Sequence, residues 1–212
     1  MDLRLTDKVV VITHSASKID AAITKLCICE GAQIVTVDSA SENYSVLIEQ
    51  TIRKHGRIDA LVNIANRESS ENLEQETTAD FAADVRRRLS RHFNMAHCSL
   101  PHLKQSRGTI VNVVSSTSLK SAGTHTYDVC TGAILALTRE WAAELVRFGI
   151  RVNAVVGNAQ PTSSNSHDDE IAAIVAFLIS SKSAHTTGQQ IFASAHARHS
   201  VSMELTQDTD TI

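Results

Sequence analysis

A chain of 212 residues, 42% of them apolar, is long enough to bury one sizeable core. Its formal net charge of −3 supplies no basic footprint for nucleic acid, and no apolar run approaches the roughly 18 to 20 residues of a membrane span. Cys27, Cys29, Cys98 and Cys130 fall inside apolar periodic stretches with no secretory signal, which predicts buried, reduced thiols and a cytoplasmic protein.

In chain order, the first predicted strand, Val9 to Ile12, runs into Thr13-His14-Ser15-Ala16-Ser17-Lys18-Ile19-Asp20 and a helix from Ile19 to Glu30. A strand from Gln33 to Val37 ends at Asp38 and is followed by a helix from Glu42 to His55. Then come a strand at Ala60 to Asn63, a long helix at Thr78 to Leu103 and a strand at Thr109 to Val114. The last third reads as a helix over Thr126 to Phe148, a strand over Arg151 to Val156, a helix over Asp168 to Ser180 and a strand over Gln190 to Phe192. Gly31, Gly56 and Gly149 stand where helices are expected to stop. Short β-branched runs alternating with helical periodicity predict an α/β fold, a three-layer, doubly wound parallel sheet with helices on both faces. No linker divides the chain, so residues 1–199 form one domain and 200–212 a polar tail.

The first strand-turn-helix unit is the place for a phosphate-binding loop, where glycines allow a tight turn, close approach of backbone to pyrophosphate, and helix-strand packing. Those positions carry His14, Lys18 and Asp20. His14 would have to take a turn conformation that glycine reaches cheaply. A carboxylate about 5 Å from a phosphate, at an effective dielectric near 20, costs on the order of 3 kcal/mol, which Lys18 would partly offset. Ser17 or Asp20 capping the helix is the other reading of the same residues.

Five stretches together carry a family likeness: Lys8 to Asp20; Gly56-Arg57-Ile58-Asp59-Ala60-Leu61-Val62-Asn63; Gly108-Thr109-Ile110-Val111-Asn112-Val113; Tyr127; and Gly149-Ile150-Arg151-Val152-Asn153-Ala154-Val155. In this order they resemble the short-chain dehydrogenase/reductase family, from the N-terminus to about Phe192. Met95-Ala96-His97, Leu100-Pro101-His102-Leu103-Lys104, Leu135 to Trp141 and Ser183 to Gly188 are similar to the L-fucose dehydrogenases within it.

The resemblance implies a Rossmann-like scaffold that binds NAD and a catalytic serine, tyrosine, lysine and asparagine. Ser115 and Tyr127 match the first two, with the interval one residue short; the lysine position is Thr131 and the asparagine position is Arg88. Cofactor contacts would come from Thr13, Ser15, Lys18, Ile19, Asp38, Asn63, Ala65 and Val156, with Asp38 on the adenosine ribose. Asn63-Ile64-Ala65-Asn66 replaces Asn-Asn-Ala-Gly, and Ser194-Ala195-His196 replaces Asp-Gly-Gly. These changes predict weak NAD binding at best.

The missing lysine matters most chemically. A phenol ordinarily titrates near pH 10, and holding it as phenolate at pH 7 without a neighbouring ammonium costs roughly 4 kcal/mol, about a thousandfold in rate. Arg88 supplies a cation only if its helix turns it inward. Two segments are also short against the family: about 25 residues between Asp38 and Ser45, and the helices that would close over substrate between Pro161 and Asp168. The expected sheet therefore lacks one edge strand, with order 2-1-4-5-6-7 in the family's strand numbering, and its pocket is open. Ten histidines include His196 and His199 at helical spacing, but no completed ligand set, so no metal is expected. Arg86, Arg87, Arg88 and Arg91 read as a solvated or interface patch. The two long helices, with Trp141 as an anchor, predict a homodimer or homotetramer. The resulting expectation is a dehydrogenase-like protein with weak or no oxidoreductase activity. The alternatives are an active NAD-dependent enzyme on L-fucose or another small secondary alcohol, and a nucleotide or ligand sensor.

Overall fold

Alternating β-branched and helical segments do form layers. A computed structural model describes residues 3–14, 17–38, 43–65, 73–116, 125–158 and 166–193. Its elements are β1 (Val9–His14), α1 (Lys18–Cys29), β2 (Gln33–Asp38), α2 (Tyr44–His55), β3 (Ala60–Ile64), α3 (Thr78–Ser106), β4 (Thr109–Ser116), α4 (His125–Leu145), β5 (Arg151–Asn158), α5 (Ser166–Ile179) and β6 (Gln190–Ala193). The last predicted turn of α4 is a separate 3-10 turn, Val146–Phe148, ended by Gly149 at φ 73°. α3 continues past Pro101 to Ser106 and stops where Arg107 turns left-handed at φ 51°.

Six parallel strands lie in the order β2-β1-β3-β4-β5-β6. This is the expected order with one edge strand missing; among the described residues β2 has no neighbour on its outer side. Alternate residues of β1 face opposite layers, as a pleated strand requires. Val10 and Ile12 pack with Ile23 and Cys27 of α1 and Ile171, Val175 and Leu178 of α5. Val11 packs with Ile48 of α2, Met95 and Leu103 of α3, and Ala142 and Leu145 of α4. Because β1 leads outward to β2 and the chain then crosses to β3 on the other side, the C-terminal ends of β1 and β3 flank a switch-point crevice.

At the opposite end of the sheet, Asp59 staples β1 to β3. Its carboxylate accepts the Val9 N–H at 3.0 Å, Lys8 Nζ at 3.0 Å, and Arg57 Nε and Nη2 at 2.8 and 2.6 Å. Burial works to raise its pKa, but the Arg57, Val9 and Lys8 donors together hold the carboxyl below the usual range.

Two expectations are corrected. His14 is the last residue of β1, in extended backbone and not a turn, because β2 keeps pairing with β1 through His14 and Asp38. Cys29 is exposed and Cys98 half-buried, leaving Cys27 and Cys130 as the buried thiols. Ile28 is likewise 56% exposed, since the outer side of α1 has no covering element among the described residues.

Candidate active site

Ser17 ends the loop after β1 and caps α1. Its hydroxyl accepts the Asp20 N–H at 3.3 Å, the Asp20 carboxylate returns to the Ser17 N–H at 3.1 Å, and the two side chains hydrogen-bond directly. This is a reciprocal capping box. Asp20 is 1% exposed, so a buried carboxylate lies at the helix end where backbone donors and the helix dipole would otherwise attract an anion. Capping is thus the reading that this structure bears out.

Across the crevice, Tyr127 is buried near the start of α4. Its phenolic oxygen accepts the main-chain N–H of Ser115 at 2.9 Å. The structure therefore joins the predicted pair, through the Ser115 backbone. Arg88 comes from α3 and is 7% exposed, its guanidinium carbon 6.0 Å from the centroid of the Tyr127 ring. Its Nε donates to Asp84 at 2.7 Å, and Arg87 pairs with the same carboxylate. Burial raises the Asp84 pKa, while Arg88 and Arg87 outweigh it and hold the carboxyl below the ordinary range.

Arg88 and Arg91 therefore do not form a solvated patch with Arg86 and Arg87. The buried stripe of α3, Leu103, Ser99, Met95 and Ala96, continues at helical spacing through His92 to Arg88, which turns Arg88 toward α4. Arg91 lines the same cleft, with Thr13, Tyr44, Asn63, Ala65, His92, Met95, Cys130, Thr131 and Ile134. Sequence reading missed His92, Tyr44 and Asp84; the α3 stripe was the available signal for His92. Burial pushes the His92 pKa down to about 4, the nearby Arg91 charge adds to that, and the Arg88 and Asn63 carbonyls oppose it. The imidazole is neutral at pH 7.

The proposed cofactor residues divide between places. Asn63, Ala65 and Thr13 meet in the cleft, but the Thr13 hydroxyl is engaged by the Ile64 N–H at 2.7 Å and the Val62 carbonyl at 3.4 Å. Lys18 and Ile19 open α1, and Asp38 is exposed at the end of β2. Val156 packs in the core with Val114 and Ile134. Ser15, Asn66 and the stretch from Ser194 to His196 lie outside the described residues, as do His199, most of the segment after Pro161 and residues 200–212. Among the described residues no group of three potential metal ligands converges, and no helix is long and apolar enough to cross a membrane.

Residues 4–171 match the family model described as short chain dehydrogenase. The chain belongs to the short-chain dehydrogenase family. It is 29% identical to the 3-oxoacyl-[acyl-carrier-protein] reductase of Thermotoga maritima, over 89% of this chain and 97% of that protein. That alignment spans 238 positions, more than the 212 residues present, so the reductase has segments this chain lacks. The L-fucose dehydrogenase of Rattus norvegicus is 28% identical over 72% of this chain and 66% of its own length. A short chain dehydrogenase structure from Mycobacterium smegmatis superposes with a TM-score of 0.79 at 26% identity, covering 91% of this chain and 94% of that one.

A similar structure, a 3-ketoacyl-(acyl-carrier-protein) reductase from Brucella melitensis, is complexed with NADH, and the described residues at the start of α1 do not fit the pyrophosphate of such a dinucleotide. At the start of α1 the Ser17 N–H donates to the buried Asp20 carboxylate, which lies where a pyrophosphate oxygen would have to approach. Asp38, Asn63 and Ala65 fit the nucleoside parts better, being polar or small at the crevice ends of β2 and β3.

Proposed function

We propose that this short-chain dehydrogenase has weak or no oxidoreductase activity and works in the cytoplasm as an oligomeric scaffold or binding module. The observation that carries the reading is the Ser17–Asp20 capping box, which spends the anion-binding end of α1 on the chain's own carboxylate. Two features support it. Tyr127 is 1% exposed with its oxygen engaged by the Ser115 main chain. Thr131 cannot supply the charge of an ammonium, and the cation near the ring, Arg88, is already paired with Asp84.

We further propose that copies of the chain associate through α3 and α4. Phe93 is 50% exposed, stacks on His97 at 5.8 Å and meets Trp141 at 6.4 Å between ring centroids. These residues, with Leu100 and Leu145, border an apolar hollow of about 200 Å³.

Calorimetric titration with NAD and NADH tests the main reading, using the intact chain and Asp38→Ala and Asp20→Ser variants. The expected result is no saturable binding by the intact chain up to millimolar nucleotide, with binding gained in Asp20→Ser. Saturable binding by the intact chain that Asp38→Ala weakens would overturn it. The second reading, an active NAD-dependent oxidoreductase on L-fucose or another small secondary alcohol, draws on the exposed Asp38 and would then be tested by NADH formation against a Tyr127→Phe control.

A further inference from the structure

Three buried polar atoms around the α3–α4 cleft find no hydrogen-bond partner among the protein groups: Asn63 Oδ1, His92 Nε2 and Thr131 Oγ1. They come from β3, α3 and α4, their residues are 1%, 7% and 9% exposed, and they line one cavity of about 30 Å³. Buried polar groups are paired in the great majority of cases, so three around one small space call for a guest.

Surrounding chemistry selects that guest. Asn63 Nδ2 donates to the His92 carbonyl and to Asn112 Oδ1, both at 3.4 Å. Asn112 Nδ2 in turn donates to Thr138 Oγ1 at 2.9 Å, and the Thr138 hydroxyl donates to the Ile134 carbonyl at 2.8 Å. This chain fixes the Asn63 amide and leaves Oδ1 as an acceptor without a partner, which disfavours an anion beside it. A cation would meet Arg88 and Arg91, which line the same space. The neutral imidazole of His92 repels neither sign but adds a group that must be hydrogen-bonded. A neutral molecule that both donates and accepts satisfies all three atoms, and the volume admits one or two waters.

We propose that this cavity is a resident water site, in which water donates to Asn63 Oδ1 and hydrogen-bonds to His92 Nε2 and Thr131 Oγ1. The water bridges the two long helices beside the site, since Thr131 lies one helical turn from Tyr127 on α4. The proposal holds whether or not a nucleotide binds.

Thr131→Val tests it by sign, because valine has the same shape without the hydroxyl. In a wet cavity the variant deprives the water of a partner, and Tm falls by about 2–4 °C for a chain of this size. In a dry cavity it removes an unsatisfied hydroxyl, and an unchanged or raised Tm overturns the proposal. Cross-relaxation between solvent and the Thr131 methyl group in the intact protein should be present, and its absence counts against the site. Ammonium chloride and sodium formate, at ionic strength matched to sodium chloride, should leave the His92 imidazole resonances unmoved. A saturable shift with either ion would make this an ion site and overturn the assignment to water.

Discussion

Asp59 gathers donors from Lys8, Val9 and Arg57, but they do not contribute equally. Lys8 and Arg57 are 41% and 52% exposed, so solvent screens their charges and each adds little. The buried Val9 N–H has no such compensation. Asp59→Ala should therefore cost about 2–3 kcal/mol, mostly from that orphaned donor, read as a lower urea midpoint at unchanged slope. Because the folded carboxyl is held below its ordinary value, this contribution is present above the usual carboxylate range and fades as pH falls through the folded value. His92 works over a higher window. Its folded pKa of about 4 lies below the unfolded 6.5, so between those values the unfolded chain binds the extra proton. Stability should fall by about 3 kcal/mol as pH drops across that interval; His92→Phe should flatten this part of the curve, as measured by urea unfolding at several pH values. The role of Asp59 was not legible from local pattern, and the α3 stripe was the one signal for His92. His92 and Arg88 continue an apolar stripe with polar side chains, and periodicity assigns such residues to solvent until a facing helix is known.

The elements themselves were far more legible, because each strand is a β-branched run and each helix a stripe of the right period. Ser17 and Asp20 also stood at a recognisable capping interval, although the sequence left a phosphate site as the alternative. Ser17→Ala should cost about 1 kcal/mol and fray the first turn of α1, seen as faster amide exchange confined to that turn. Pairing explains where boundaries were missed. β1 runs on through Thr13 and His14 because Val37 and Asp38 of β2 lie beside them, a contact across the sheet that residues 9–14 do not encode. The edge position of β2 was readable from the resemblance, since the segment between Asp38 and α2 is short against the family.

For the molecule as a whole, the consequence of the exposed Phe93–Trp141 face is assembly. If α3 and α4 pair between copies, Phe93→Glu should shift the sedimentation of the protein toward monomer while leaving its circular dichroism intact, because a half-exposed side chain contributes little to the fold of one chain. Sequence pointed to this face through Trp141 but not to Phe93, which lies on the flank of the buried α3 stripe, against Trp141 of α4. The sheet has a further consequence in time. β1 is hydrogen-bonded on both sides, to β2 and β3, and is pinned at its start by Asp59. Its amides should exchange with solvent only when the whole chain opens, whereas those on the outer side of β2 should exchange early. The last strand to open thus ends at the crevice, so the two can fail separately. Substitutions at the crevice can abolish ligand binding while leaving the slowest exchanging amides untouched.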